Sequence, residues 1–188
     1  MSRHKVHGDN RGMSLIELIV VIAIMAVLAG GFLSMIGLLS GKQARQAAQD
    51  ITSSVEKNRV VSMSRSSGAA SDVTAADVYV RITRKDRNIV IEQYVKGTVT
   101  DSVTVRGNRI SHFYVYTAAG GNSAVTDKAE KTELDENGII LAFDRATGAF
   151  LPASAEQGTY IKKLEICEGA RTCFVSMVPA TGRIEQGN

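Results

Sequence analysis

Hydrophobic and polar positions fall into three regimes along this chain. Residues 1–12 are polar and carry Arg3, Lys5 and Arg11 against Asp9. From Leu18 to Gly41 no charged side chain occurs, a run longer than the about 20 residues a bilayer-spanning helix needs. Beyond it, Ala44, Ala47, Ala48, Ile51 and Val55 recur at three- and four-residue spacing, with Lys42, Arg45, Asp50 and Glu56 between them. Gly68 after Ser66-Ser67 supplies a stop. Together these predict a helix over 13–67, about 80 Å long at about 1.5 Å per residue, apolar all round in its first half and amphipathic in its second. Gly30, Gly31 and Gly37 weaken it by about 1 kcal/mol each relative to alanine.

From Asp77 onward the period changes to two. Val78–Thr83 and Ile89–Ile91 flank a polar turn at Lys85–Asn88, and Thr98–Val105 and Arg109–Tyr116 flank Arg106-Gly107-Asn108. Thr117–Asn137 is polar and reads as a long loop. Ile139–Phe143 with Ala149–Leu151, and Tyr160–Ile166 with Cys173–Val178, complete two more hairpins. The fold class is therefore α+β. A long N-terminal α-helix over 13–67, whose portion 13–41 can span a membrane, packs its second half on an antiparallel β-sheet head over 68–188.

Composition changes this picture little. The formal charge is +3, and the basic excess lies mostly before residue 12, so the body is nearly neutral and lacks the broad basic face of a general nucleic-acid binder. A basic segment ahead of an apolar one stays in the cytoplasm, which places the body outside. In that compartment Cys167 and Cys173, with five residues between them, are expected to form a disulfide around Glu168–Thr172; two thiols are the alternative.

Glu17 is a lone carboxylate at the leading edge of the apolar stretch. A charge near hydrocarbon is costly and marks a specific partner. A cleavable signal peptide ending at Val27-Leu28-Ala29 and a plain signal anchor both account for part of the segment, but neither gives Glu17 a role.

Gly12-Met13-Ser14-Leu15-Ile16-Glu17-Leu18 resembles the processing site of type IV pilins and type II secretion pseudopilins. The resemblance implies a pilin fold with residues 1–12 as leader, cut between Gly12 and Met13 by prepilin peptidase, and methylation of the new Met13 amine. It also implies filament assembly through packed N-terminal helices, with Glu17 of one subunit meeting the Met13 amine of its neighbour. Partners so implied are other pilin subunits, prepilin peptidase, and an assembly ATPase with its platform. The protein would stand in the cytoplasmic membrane before assembly and in a surface filament afterwards. Phe174–Ile184, with Thr181-Gly182-Arg183, resembles the C-terminus of the GspH/FimT group of minor pilins and pseudopilins. DNA-binding members continue with a second basic residue where this chain has Glu185, which argues against DNA as a partner of the tail.

Other chemistry is sparse. His112 lies in an alternating strand, and no phosphate loop, metal cluster or catalytic pair stands out, so the chain reads as a structural protein without a cofactor and not as an enzyme. Glu133, Asp135, Asn137 and Asp144 loosely echo a calcium loop, although Asn137-Gly138 as a tight turn explains the same residues. Arg81, Arg84, Lys85 and Arg87 at one hairpin, and Lys128 and Lys131 in the long loop, read as solvated turns, with DNA capture as the sharper alternative. The function read from the sequence is a structural subunit of a type IV pilus-like filament. The alternatives are a minor pilin or pseudopilin of a secretion or DNA-uptake system and, from another class, a signal-anchored extracellular binding protein or enzyme.

Overall fold

A computed structural model describes residues 14–39, 41–65, 70–120, 129–153 and 158–187, with side chains of the first stretch described as far as Gly31. The leader 1–12, Met13, Lys128 and the expected helix stop at 66–68 lie outside the described residues. The chain divides into two compact units, Met1–Leu39 and Ser40–Asn188.

The described residues of the first unit form the helix α1 (Leu15–Leu39). Its large side chains from Leu15 to Leu28 are exposed all round, including Ile19, Ile22, Met25 and Val27. Among the described residues no helix is long and apolar enough to cross a membrane, the described side chains of α1 ending at Gly31.

The second unit opens with α2 (Lys42–Arg65). The helical residues expected as one element over 13–67 thus fall in two. Among the described residues the head contains nine strands: β1 (Val78–Lys85), β2 (Asn88–Val95), β3 (Thr98–Val105), β4 (His112–Ala119), β5 (Glu130–Glu133), β6 (Ile139–Ala142), β7 (Thr159–Glu168), β8 (Arg171–Val178) and β9 (Arg183–Gly187). All the pairings are antiparallel, but they build two sheets where the sequence suggested one. One sheet runs β3-β2-β1-β6 and the other β5-β4-β7-β8-β9. The hairpin expected across Asp144–Gly148 is reduced to a bridge between Phe143 and Phe150, because β6 pairs with the distant β1 instead.

Alternation decides what faces inward. Val80 and Ile82 on β1, Ile89 and Ile91 on β2, Phe113 and Val115 on β4, Leu164 and Ile166 on β7, and Val175 and Met177 on β8 are buried. They form one core with the α2 stripe of Ala44, Ala47, Ala48, Ile51 and Val55, and α2 touches strands of both sheets. The three alanines let the helix lie close to the strands, while burying Ile51 contributes roughly 1.5–3 kcal/mol. Further along, the inward positions turn polar: Ser54, Asn58 and Ser62 are buried, spaced by four. Ser62 donates to the Phe143 carbonyl at 3.1 Å, and Gln93 donates to the Ser54 carbonyl at 3.3 Å.

Candidate assembly site at the start of α1

The first turn of α1 is built by two side chains three residues apart. The Ser14 backbone N–H donates to Glu17 Oε2 at 2.8 Å, and the Glu17 N–H donates to Ser14 Oγ at 3.3 Å. This reciprocal pair is a capping box, which satisfies two of the donors that every helix start leaves open. A negative charge there also suits the positive end of the helix dipole. The signal was legible as Ser-x-x-Glu ahead of an apolar run. Sequence reasoning assigned Glu17 to subunit contacts and did not see that Ser14 already engages it.

The site therefore combines a carboxylate held at a helix start with an apolar surface that the chain leaves exposed. A helix apolar on every side demands a non-aqueous partner around its whole circumference. Chemically the arrangement offers one fixed anion and a cylinder of hydrocarbon.

The remaining sequence candidates have structural duties. Cys173 pairs with Ile166 across the β7–β8 ladder, and Cys167 pairs with Thr172. Neighbours along a strand alternate faces, so Cys173 points into the core and Cys167 to the other side. The expected Cys167–Cys173 disulfide is not formed, because this register turns the two sulfurs away from each other. Burial raises the Cys173 thiol pKa.

Among the described residues no group of three or more His, Cys, Asp or Glu stands close enough to hold a metal ion. The four calcium candidates are dispersed. Asp135 accepts from the Gly138 N–H and the Asn137 amide, both at 2.9 Å, making the Asn137-Gly138 turn. Asp144 accepts from the Thr147 N–H and hydroxyl at 2.9 and 2.6 Å. Glu133 meets Arg84 at 3.2 Å and His112 at 3.3 Å.

The basic hairpin is likewise engaged. Arg84 also donates to the Ile110 and Ser111 carbonyls at 3.0 and 3.3 Å, so a β1 side chain ties one sheet to the other. Arg81 donates to the Asn137 carbonyl at 3.1 Å. Lys131 lies over the Tyr114 ring, 3.7 Å from its centroid. In the tail, the Thr181 carbonyl accepts from Arg59 of α2 at 2.9 Å, and Arg183 pairs with Glu185 at 2.8 Å. The Thr-Gly-Arg segment thus folds back onto the head.

Two buried charges escaped sequence reasoning, because each occupies a strand pattern that looks polar and exposed. Glu168 reaches the start of α2. Lys162, 1 % exposed, is the extra residue of a β-bulge between β4 and β7 and donates to the Gly120 carbonyl at 2.6 Å. Desolvation lowers its pKa.

Neither the curated proteins nor the solved structures give a match to this chain. One family does match, described as the prokaryotic N-terminal methylation motif, over residues 8–33. That interval contains Gly12, Met13, the Ser14–Glu17 box and the exposed apolar start of α1. The chain thus carries the prokaryotic N-terminal methylation motif across its leader junction and the start of α1.

Proposed function

We propose that this protein is a structural subunit of a type IV pilus-like filament. The observation that carries the reading is the exposed, all-round apolar surface of α1 led by a single carboxylate within the methylation motif. On this reading residues 1–12 are removed by prepilin peptidase between Gly12 and Met13, the Met13 amine is methylated, and residues 13–41 hold the subunit in the cytoplasmic membrane with the head outside. Assembly exchanges lipid around α1 for the α1 helices of neighbouring subunits. Dispersion then drives packing with little change in apolar exposure, and polar groups fix register. Glu17 and the Met13 amine are that polar pair. Either charge alone in low dielectric costs several kcal/mol, so a misregistered subunit is rejected.

The Phe174–Ile184 tail supports a minor pilin or pseudopilin as the second reading, since it resembles that group. Its arginine is paired with Glu185, which speaks against DNA as its ligand. The N-terminal mass of protein from the membrane or sheared-filament fraction tests the proposal. A chain beginning at methylated Met13 supports it, whereas one beginning at Met1 or Gly30 refutes it. Glu17→Ala is expected to leave processing intact and abolish incorporation into filaments.

A further inference from the structure

A sheet edge offers unpaired N–H and C=O groups to any strand that reaches it, and most edges carry a device that discourages pairing. Among the described residues the two sheets end in β3 and β6, and in β5 and β9. β5, Glu130-Lys131-Thr132-Glu133, is charged at all but one position, and β9 holds Arg183 and Glu185. β6 is short, and the Leu151 N–H already donates to its Ala142 carbonyl at 2.9 Å. β3 is different. It runs from Thr98 to Val105 without proline or lysine, and its single charge, Asp101, is bonded to Lys57 of α2.

The ladder decides which backbone groups of β3 face outward. Lys85 and Asn88 flank a two-residue turn and so form a hydrogen-bonded pair, after which alternation aims Ile89 and Ile91 at β3. The same alternation turns Arg84 away from β2, and its N–H indeed donates to the Asp135 carbonyl at 3.1 Å. Ile89 and Ile91 stand opposite Val105 and Val103. Ser102 and Thr104, of the other parity, therefore direct their N–H and C=O groups off the sheet. Thr100, Ser102 and Thr104 are exposed, whereas Asp101 and Val103 are half-buried. The register slips beside Gln93, leaving Thr100 without a partner in β2, and the Thr100 hydroxyl donates to the Gln93 carbonyl at 3.2 Å. That bulge limits the regular edge on one side.

We infer that β3 pairs antiparallel with β3 of a second copy of this chain, about a two-fold axis through Ser102. Thr100-Asp101-Ser102-Val103-Thr104 carries its hydroxyls at positions that read the same in both directions. In this register Ser102 meets Ser102 of the copy and exchanges both backbone bonds with it, and Thr100 meets Thr104. Threonine and serine opposite one another are favourable cross-strand pairs. Asp101 comes opposite Val103, so no two carboxylates face each other, and Lys57 stays with its own Asp101. The contact is isologous and closes on itself, joining the β3-β2-β1-β6 sheets of two heads into one. Pairing over so short a stretch is weak in free solution and becomes effective where copies are already concentrated, as in a membrane. The inference needs only β3 and does not rest on the filament reading.

The test is disulfide trapping of the full chain, in membranes and in detergent, with Cys167→Ser removing the half-exposed native thiol. Ser102→Cys places two sulfurs at the centre of the pair, where the Cα separation of about 5.5 Å suits a disulfide. Glu130→Cys, exposed on the β5 edge, reports encounters that α1 alone would cause. Cross-linking of Ser102→Cys to itself is expected to run at least about tenfold faster than that of Glu130→Cys. Adding Thr104→Pro removes an outward N–H and no bond to β2, and should return the rate to the control. If amide protection at Ile89 and Ile91 shows that the proline has loosened β3, Thr104→Lys takes its place by putting a cation on the edge. Equal rates for the two reporters overturn the proposal, as does a fast Ser102→Cys rate that survives the edge substitution. Trapping of Ser102→Cys in membranes with a different protein, and not with its own copy, also overturns it, because the edge then takes a foreign strand.

Discussion

Gly182→Ala puts a number on how tightly the tail closes the head. Gly182 has φ +65°, and its N–H donates to the Val178 carbonyl at 3.0 Å. A Cβ there would collide with the Gly148 carbonyl oxygen and stand 3.1 Å from Arg59 Nε. An alanine pays about 1 kcal/mol for the left-handed backbone, and relief of a clash with backbone adds about 1–3 kcal/mol of overpacking strain. The expected total is about 2–4 kcal/mol, a large part of the 5–15 kcal/mol typical of a domain. Gly97→Ala is the control, because Gly97 has φ +76° with nothing within 4 Å of the added Cβ. It should show the backbone term alone. Urea unfolding of both full-length variants in detergent, followed by circular dichroism, reads the difference from midpoint and slope. Equal losses for the two substitutions, each near 1 kcal/mol, would refute the claim that the Thr181–Arg183 turn is wedged against Gly148.

Two further outcomes follow from the β7–β8 region. Alkylation under native conditions should label Cys167 while leaving Cys173 largely unreacted, denaturant should expose both, and reductant should leave the unfolding midpoint unchanged; a mass two hydrogens short before reduction would contradict the register. Lys162 has a folded pKa below the ordinary 10.5, so the unfolded chain binds its proton more tightly and the cost of burial is fully present at neutral pH. The wild-type protein should therefore gain stability relative to Lys162→Met as alkaline pH rises toward 10.5, and parallel curves for the two proteins would remove the desolvation account.

The sequence made some layers of this structure readable and hid others for physical reasons. Ala44, Ala47, Ala48, Ile51 and Val55 declare a buried helical stripe because their period is uninterrupted, and all five are buried. The stripe then runs on through Ser54, Asn58 and Ser62, which no apolar period reveals. Val78–Lys85 and Asn88–Val95 were legible through alternation around a polar turn. The β5 strand, Glu-Lys-Thr-Glu, is exposed at every position and offers no alternation, so it was absorbed into the expected loop. The division into two sheets depends on β6 pairing with β1 instead of its sequence neighbour, a choice made by tertiary packing. Cys167 and Cys173 were misjudged because their five-residue separation suggests proximity, while strand parity sends them to opposite faces. Glu17 was legible as a site because charge is costly in an apolar run, yet its partner Ser14 passed as a mere hydroxyl.

The Ser14–Glu17 box has a consequence for the order of events in the life of the chain. All its donors and acceptors lie within residues 14–17. Scission after Gly12 would leave Ser14 an internal amide, able to donate to Glu17 as before. Scission one bond later would turn that amide into an ammonium and rewrite the first turn. If the proposed cleavage occurs at the earlier bond, it would leave the Ser14–Glu17 pairing intact, so trimming would need neither to wait for this turn to fold nor to undo it.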